Sequence, residues 1–127
     1  MPIPIGVRPA GSTDASELRA LIDYEFFTHR HLDWCHPLDW IGIPPFWLIE
    51  SGKHIIAALA CQEDPPGVAW VRLFTATADL EISEAWETLF AKVNEHYQHK
   101  PVTCVSLSFT DWYSHLLEEN RFDHVED

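Results

Sequence analysis

Four carboxylates surround the position at which a helical pattern begins in the second half of the sequence. They are Asp79, Glu81, Glu84 and Glu87, within the stretch FTATADLEISEAWETLF (residues 74–90), which contains no glycine and no basic residue. Acids in the first turn of a helix stabilise it, because the helix dipole contributes about 0.3–1 kcal/mol. The same acids oppose a bound anion, since two like charges about 4 Å apart at an effective dielectric of about 20 repel by roughly 4 kcal/mol. We therefore predict that this turn holds no phosphate group.

A second group of candidate ligands lies earlier in the chain and consists of His29, His31 and His36, which surround Trp34 and Cys35. On a helix, His29 and His31 would point about 200° apart, so they converge only if the chain is extended there. Zinc ligands usually come in closer pairs, such as C-x-x-C or H-x-x-x-H. We therefore predict no metal site in this chain.

The segment of residues 34–47 is rich in aromatic side chains and is interrupted by three prolines and a glycine. Its candidate ligand-binding or interface residues are Trp34, His36, Trp40, Phe46 and Trp47. These rings are suited to a pocket for an amine or an aromatic ligand. They are equally suited to packing onto the sheet or to an interface between domains, where aromatic residues are enriched. We favour packing or an interface, because an aromatic loop held by prolines needs an anchor.

The composition excludes several classes of protein. The 127 residues fit one domain, and 46% of them are apolar, enough to form a core. The net charge of -12 and the scattered basic residues argue against nucleic acid and against an anionic membrane surface. The N-terminus lacks a signal-peptide pattern, and three widely separated cysteines indicate reduced thiols. We therefore predict a cytoplasmic protein.

Hydrophobic periodicity predicts the elements that must position these groups. The predicted strands cover residues 3–7, 46–50, 54–62, 68–75 and 102–109. A first helix of roughly four turns begins near Asp14, with Glu17 completing a capping box, and further helices cover residues 81–97 and 112–119. The order predicts a mixed α/β sheet with helices on both faces.

Three stretches in this order resemble the GNAT superfamily of acyl-CoA-dependent N-acyltransferases. They are IGVRPAGSTDASELRALI, FWLIESGKHIIAALA and WYSHLLEENRFDHVE. The resemblance implies a mostly antiparallel central sheet, in which the family's final strand is missing or incomplete here. In the family, an Arg/Gln-x-x-Gly-x-Gly/Ala loop and the following helix N-terminus hold the cofactor's pyrophosphate. The corresponding residues here include Asp79, Glu81 and Glu84, so we predict a degenerate loop and no bound acetyl-CoA.

The resemblance implies one catalytic candidate, Tyr113, and the predicted strands add a second, Glu50. Tyr113 matches the family's general-acid tyrosine, which protonates the leaving thiolate, although packing beside Trp112 is the interpretation that we favour. Glu50 ends a strand and is a candidate base, although its ordinary role would be that of a solvated hairpin residue.

From this resemblance we predict that residues 1–127 form a single GNAT-like domain, the N-terminal part of a longer chain. Such a domain would be inactive alone and would support or shape the substrate site of a downstream catalytic GNAT domain, or of a second copy. One alternative is an active N-acyltransferase that holds acetyl-CoA by an unusual loop. A second alternative is a small-ligand sensor that uses the aromatic segment 34–47.

Overall fold

The computed structural model describes residues 5–31 and 35–123 of the chain. Seven strands are present in these ranges: β1 (Ile5–Pro9), β2 (Phe27–Arg30), β3 (Phe46–Ser51), β4 (His54–Ala60), β5 (Val68–Trp70), β6 (Leu73–Ala76) and β7 (Thr103–Val105). The α-helices are α1 (Ala15–Tyr24), α2 (Ile82–Tyr97) and α3 (Asp111–Glu119), and short 3₁₀ helices cover Ser12–Asp14 and Pro37–Trp40.

The strands form two sheets. The larger sheet has the order β1-β3-β4-β6-β2, and all its neighbouring strands are antiparallel. The smaller sheet consists of β5 and β7, which are parallel. The predicted mixed and mostly antiparallel sheet is therefore confirmed, and no strand follows α3 in the part of the chain described up to Asp123.

Strand β4 is buried on both faces, which explains its nearly unbroken run of apolar residues. Ala57 and Leu59 belong to the core on the side of α2 and α3, whereas Ala58 and Ala60 belong to the core on the side of α1. The small alanines let the helices on both sides approach the sheet closely. The sheet is thus the middle layer of three.

Helix α2 forms where the 3.6-residue period predicts it. Trp86, Leu89, Val93 and Tyr97 lie along its buried face. At its last turn, the Tyr97 hydroxyl donates a hydrogen bond of 2.8 Å to the carbonyl of Cys61. This bond fixes the C-terminal end of α2 against the residue that follows β4.

The start of α1 differs from the predicted capping box. Asp14 accepts two hydrogen bonds from the Arg8 guanidinium, at 2.8 and 2.9 Å, and one from the amide of Gly11 at 2.8 Å. The Arg8 bonds hold the pKa of the Asp14 carboxyl below its usual value. Glu17 instead accepts a 2.7 Å hydrogen bond from the amide of Ile55 in β4. Both carboxylates therefore accept hydrogen bonds from groups outside α1 and not from its N-terminal amides.

Three predicted boundaries are wrong. Helix α1 ends at Tyr24, short of the roughly four turns that were predicted, and Phe27 begins β2, a strand that was not predicted. The predicted strand 68–75 is two strands, because the chain changes partners at its middle. The amide of Val71 donates to the carbonyl of Val105, the last residue of β7, and the amide of Arg72 donates to Ala60 in β4. The predicted strand 102–109 keeps its ladder only in β7.

Candidate functional site

The parallel strands β5 and β7 separate after Trp70 and Val105, where β6 turns into the larger sheet. Ligands of open α/β sheets generally bind in the crevice beyond the carboxyl ends of such strands. Here β2 lies in that crevice. It pairs with β6 in antiparallel register, and Thr28 Oγ1 lies 2.7 Å from Thr75 Oγ1 across the pair. The main-chain edge of β6 is therefore already hydrogen-bonded within the chain.

The side chains of β2 also contact α3 and the connection that leads to it. The His29 ring stacks on the Tyr113 ring with centroids 4.0 Å apart and planes inclined by 9°. The Phe27 ring meets Trp112 edge to face at 5.2 Å. Strand β2 thus pairs with β6 along one edge, and the side chains of one of its faces, Phe27 and His29, pack against α3.

A small polar cluster lies beneath this strand and consists of His29, Ser106 and Tyr113. Ser106 Oγ donates to the carbonyl of Leu107 at 2.9 Å and lies 2.7 Å from the Tyr113 hydroxyl. Because the serine proton is used on Leu107, the tyrosine hydroxyl donates to Ser106. His29 Nε2 lies 3.4 Å from the same serine oxygen. The cluster therefore satisfies itself with the chain's own groups.

Burial determines the charge state of this cluster. Tyr113 has no exposed surface, and 5% of His29 is exposed. Desolvation lowers the pKa of His29 to about 4, with a smaller contribution from the neighbouring charge of His31. Desolvation also raises the pKa of Tyr113 well above its usual value. Both groups are uncharged near neutral pH, and neither reaches a ligand while β2 is in place.

The predicted catalytic pair is not brought together. Glu50 lies at a register shift in β3, and its Oε2 accepts a 3.1 Å bond from Arg8 Nε. Two strands, β4 and β6, separate β3 from β2 in the sheet. At roughly 4.8 Å per strand spacing, Glu50 and the crevice are therefore on the order of 14 Å apart. Glu50 forms part of an ion-pair network with Arg8 of β1 and Asp14 of the 3₁₀ helix that precedes α1.

The acidic turn lies at the N-terminus of α2, as predicted. Glu81 is the N-cap residue, and its Oε1 accepts a 3.2 Å hydrogen bond from the amide of Ser83. Ser83 Oγ in turn donates to Glu119 of α3 at 2.9 Å. Asp79 and Glu84 are exposed on either side of the cap. The Glu81 carboxylate thus already accepts a hydrogen bond from a helix amide that a bound anion would otherwise use.

The aromatic segment 34–47 divides between the two faces of the sheet. Phe46 is 3% exposed and packs with Trp40 in the core beside α1, where Trp40 also lies 4.3 Å from the Arg72 guanidinium. Trp47 is half-buried on the opposite face, with Lys92 Nζ 5.2 Å from its ring centre. His36 caps the short 3₁₀ helix by accepting from the amide of Leu38 at 3.1 Å. Trp34, which was predicted with them, lies outside the described residues.

Sequence reasoning missed the role of Ser106, and it considered His29 only as a metal ligand. The alternation Phe27, Thr28, His29, Arg30 has the period of a strand, which was the available signal.

Within the described residues no group of three or more His, Cys, Asp or Glu side chains is placed to hold a metal ion. None of the helices described has the length and hydropathy that a bilayer crossing requires.

This architecture is that of an acyltransferase fold: the chain has the fold of the GNAT acetyltransferases. Naa50 from Arabidopsis thaliana, in complex with the bisubstrate analogue CoA-Ac-MVNAL, superposes with a TM-score of 0.72 at 12% identity, over 96% of this chain and 85% of Naa50. The aminoglycoside N-acetyltransferase AAC(6')-Iy in complex with CoA gives a TM-score of 0.70 at 14% identity, over 100% of this chain and 93% of that enzyme.

A third similar structure is a longer protein. N-acetylglutamate synthase from Neisseria gonorrhoeae, complexed with coenzyme A and N-acetyl-glutamate, gives a TM-score of 0.67 at 16% identity over 88% of this chain. The chain spans only 27% of that synthase. No protein-family model matches the sequence, and neither does any curated protein. The likeness is therefore one of fold.

Proposed function

We propose that this chain is a GNAT-fold domain that does not bind acetyl-CoA in the usual mode and that supports a catalytic GNAT domain. The observation that carries the proposal is β2, which occupies the edge of β6 and covers Tyr113 with His29. A cofactor entering this crevice would have to displace the strand.

Displacing β2 would be costly. Each main-chain hydrogen bond contributes about 0.5–1.5 kcal/mol net, and a stacked pair such as His29 and Tyr113 adds about 0.5–1.5 kcal/mol. The opened state would also expose the buried cluster of Ser106 and Tyr113. Because apparent affinity falls in proportion to the fraction of competent molecules, a ligand that needs the open state is weakened by the same factor.

The acids at the start of α2 add an independent obstacle. Glu81 already accepts a hydrogen bond from an amide of the first turn, and Asp79 and Glu84 place two further negative charges beside it. A pyrophosphate at this turn would face these charges without a glycine loop or a cation to offset them.

The surface around β2 supports the proposal that this domain binds a partner. In the described residues β2 pairs only with β6, so its outer edge is open, and such edges are usually covered. Phe26 and Phe109 flank it with 72% and 61% of their surface exposed. Exposed aromatic side chains beside an open strand edge are typical of interaction sites. A downstream catalytic GNAT domain is the partner we propose, and a second copy of the chain is the alternative.

Calorimetric titration with acetyl-CoA tests the cofactor half of this proposal. We expect no saturable heat at about 1 mM ligand, which corresponds to a binding free energy weaker than about -4 kcal/mol. Saturable binding that free coenzyme A competes away would instead support an active acyltransferase with an unusual cofactor loop.

The partner half is tested with the reading frame that contains this chain. If a GNAT domain with an Arg-x-x-Gly-x-Gly loop follows Asp127, we expect Phe26→Ser combined with Phe109→Ser to make the connection between the domains sensitive to protease. A chain that dimerises in light scattering, and becomes monomeric with the same two substitutions, would identify a second copy as the partner.

A further inference from the structure

A cavity of about 430 Å³ lies at the C-terminal end of α2. It is bounded by the end of β1, by the residues that lead into β3, and by the last two turns of the helix. Helix α2 has 16 residues, and at about 1.5 Å per residue its two ends are roughly 24 Å apart. The cavity is therefore separate from the crevice that β2 fills and from the acidic turn.

One wall of the cavity is apolar and partly aromatic. Trp47, Phe46 and Pro44 contribute to it, together with Ile43, which leaves 49% of its surface exposed although it is a large apolar residue. The volume falls in the range of small-molecule pockets, about 300–1,000 Å³, which combine apolar walls with a few convergent polar groups. This wall suits a flat apolar ring.

The opposite wall is polar and is formed by α2. Lys92 and His96 are four residues apart and both line the cavity, as neighbours on one helix face. Gln98 follows them at the end of the helix. All three carry groups that can donate hydrogen bonds into the cavity, and Glu95, which also lines it, brings one carboxylate.

Lys92 and Glu95 are the cation and the carboxylate of the cavity lining, and the position of Lys92 at the Trp47 ring indicates the sign of a ligand there. Lys92 Nζ already lies 5.2 Å from the centre of the Trp47 ring, which is the place that a cationic ligand would take. Its ion pair with Glu95 Oε2 measures 3.8 Å, and 64% of the Glu95 side chain is exposed. This separation exceeds the roughly 2.7–2.9 Å of a charge-assisted hydrogen bond. The ammonium group can therefore donate a shorter hydrogen bond to the carboxylate of a ligand.

We propose that this cavity binds a small aromatic carboxylic acid. The ring of the ligand packs against Trp47 and Pro44, and its carboxylate accepts a hydrogen bond from Lys92, with His96 as a second donor. The site needs neither acetyl-CoA nor a partner domain, so it goes beyond the function proposed above. It assigns a specific pocket, and an acid rather than an amine, to the aromatic segment.

The test uses indole-3-acetate and its amine counterpart tryptamine as probes of the whole chain. Titrations are followed by calorimetry and by the amide resonances of a ¹⁵N-labelled sample. We expect indole-3-acetate to shift the amides of residues 43–47 and 92–98, and tryptamine to bind more weakly. No binding of the acid at millimolar concentration, or tighter binding of the amine, overturns the proposal.

Two matched lysine variants separate the site from general charge. Lys92→Met should weaken indole-3-acetate by about tenfold or more, as expected for a hydrogen bond to a charged group. Lys53→Met removes the same charge from the exposed turn between β3 and β4, at the other end of the sheet, and should leave the affinity unchanged. Equal effects of the two substitutions would contradict the assignment, and circular dichroism of each variant verifies that it is folded.

Discussion

The surroundings of helix α2 are filled at its N-terminal end and open at its C-terminal end. At the N-terminal end the chain fills the adjoining crevice with β2 and satisfies a helix amide with Glu81. At the C-terminal end it leaves a cavity lined by Trp47 and Lys92, and the ion pair of Lys92 with Glu95 measures 3.8 Å. The comparison sets a crevice that the chain fills with its own strand against a cavity that it leaves open.

The largest expected effect is at Tyr113, which has no exposed surface and packs against Trp86 and His29. Tyr113→Ala should lower the free energy of unfolding by about 3–5 kcal/mol, the usual result of truncating a buried aromatic residue. Tyr113→Phe keeps the ring and should lose about 1 kcal/mol with the bond to Ser106. Urea unfolding measures both. A negligible loss in Tyr113→Ala would mean that the ring is accessible and the crevice open.

The next effect concerns acid and His29. Its folded pKa of about 4 lies below the unfolded value of 6.5, so the unfolded chain binds the extra proton between these values. Stability should therefore fall as pH drops from 6.5 to 4, by up to about 3 kcal/mol from this residue. His29→Gln should flatten that part of the profile, whereas His54→Gln, at an exposed position, should not. Parallel profiles for the wild type and His29→Gln would contradict the burial of this ring under β2.

A smaller effect is expected at the helix cap. Glu81→Ala should lower the free energy of unfolding by about 0.5–2 kcal/mol, because it removes the acceptor of the Ser83 amide. Glu87→Ala, an exposed position inside the same helix, is the control and should change stability by less than about 0.5 kcal/mol. A stabilising effect of Glu81→Ala would contradict the capping role of Glu81 and would indicate that the acids of this turn serve a ligand.

The smallest effect is at the open end. Lys92→Met should change the stability of the ligand-free protein by less than about 1 kcal/mol, because its pair with Glu95 is exposed and long. A loss as large as that of a buried residue would show that Lys92 holds the fold together. The contrast with Tyr113 would then disappear.

The sequence predicted the parts of the fold that depend on local patterns. Helix α2 begins within one residue of its predicted start because its apolar period is long and regular. Strand β2 was missed because four residues carry little periodic signal, and its conformation depends on pairing with β6, which is distant in the sequence. The break between β5 and β6 was missed for the same reason, because a change of strand partner does not alter the residue pattern of a short apolar run.

The residues of the candidate site also differ in whether local sequence patterns could predict them. The acids at Asp79, Glu81 and Glu84 were found because they lie together in the sequence and adjoin a predictable helix. The closure over Tyr113 joins β2, Ser106 and α3, which only the folded chain brings together. The cavity beside Trp47 likewise requires the end of α2 to pack next to β1 and β3.

The most direct test of the account is a nuclear Overhauser measurement between the ring protons of His29 and Tyr113, repeated with acetyl-CoA at millimolar concentration. With ring centroids 4.0 Å apart, we predict strong cross-peaks that the cofactor leaves unchanged. Loss of these cross-peaks on addition of acetyl-CoA, together with shifts in the amides of Ser83 and Glu84, would show that β2 gives way to the cofactor and would contradict the account.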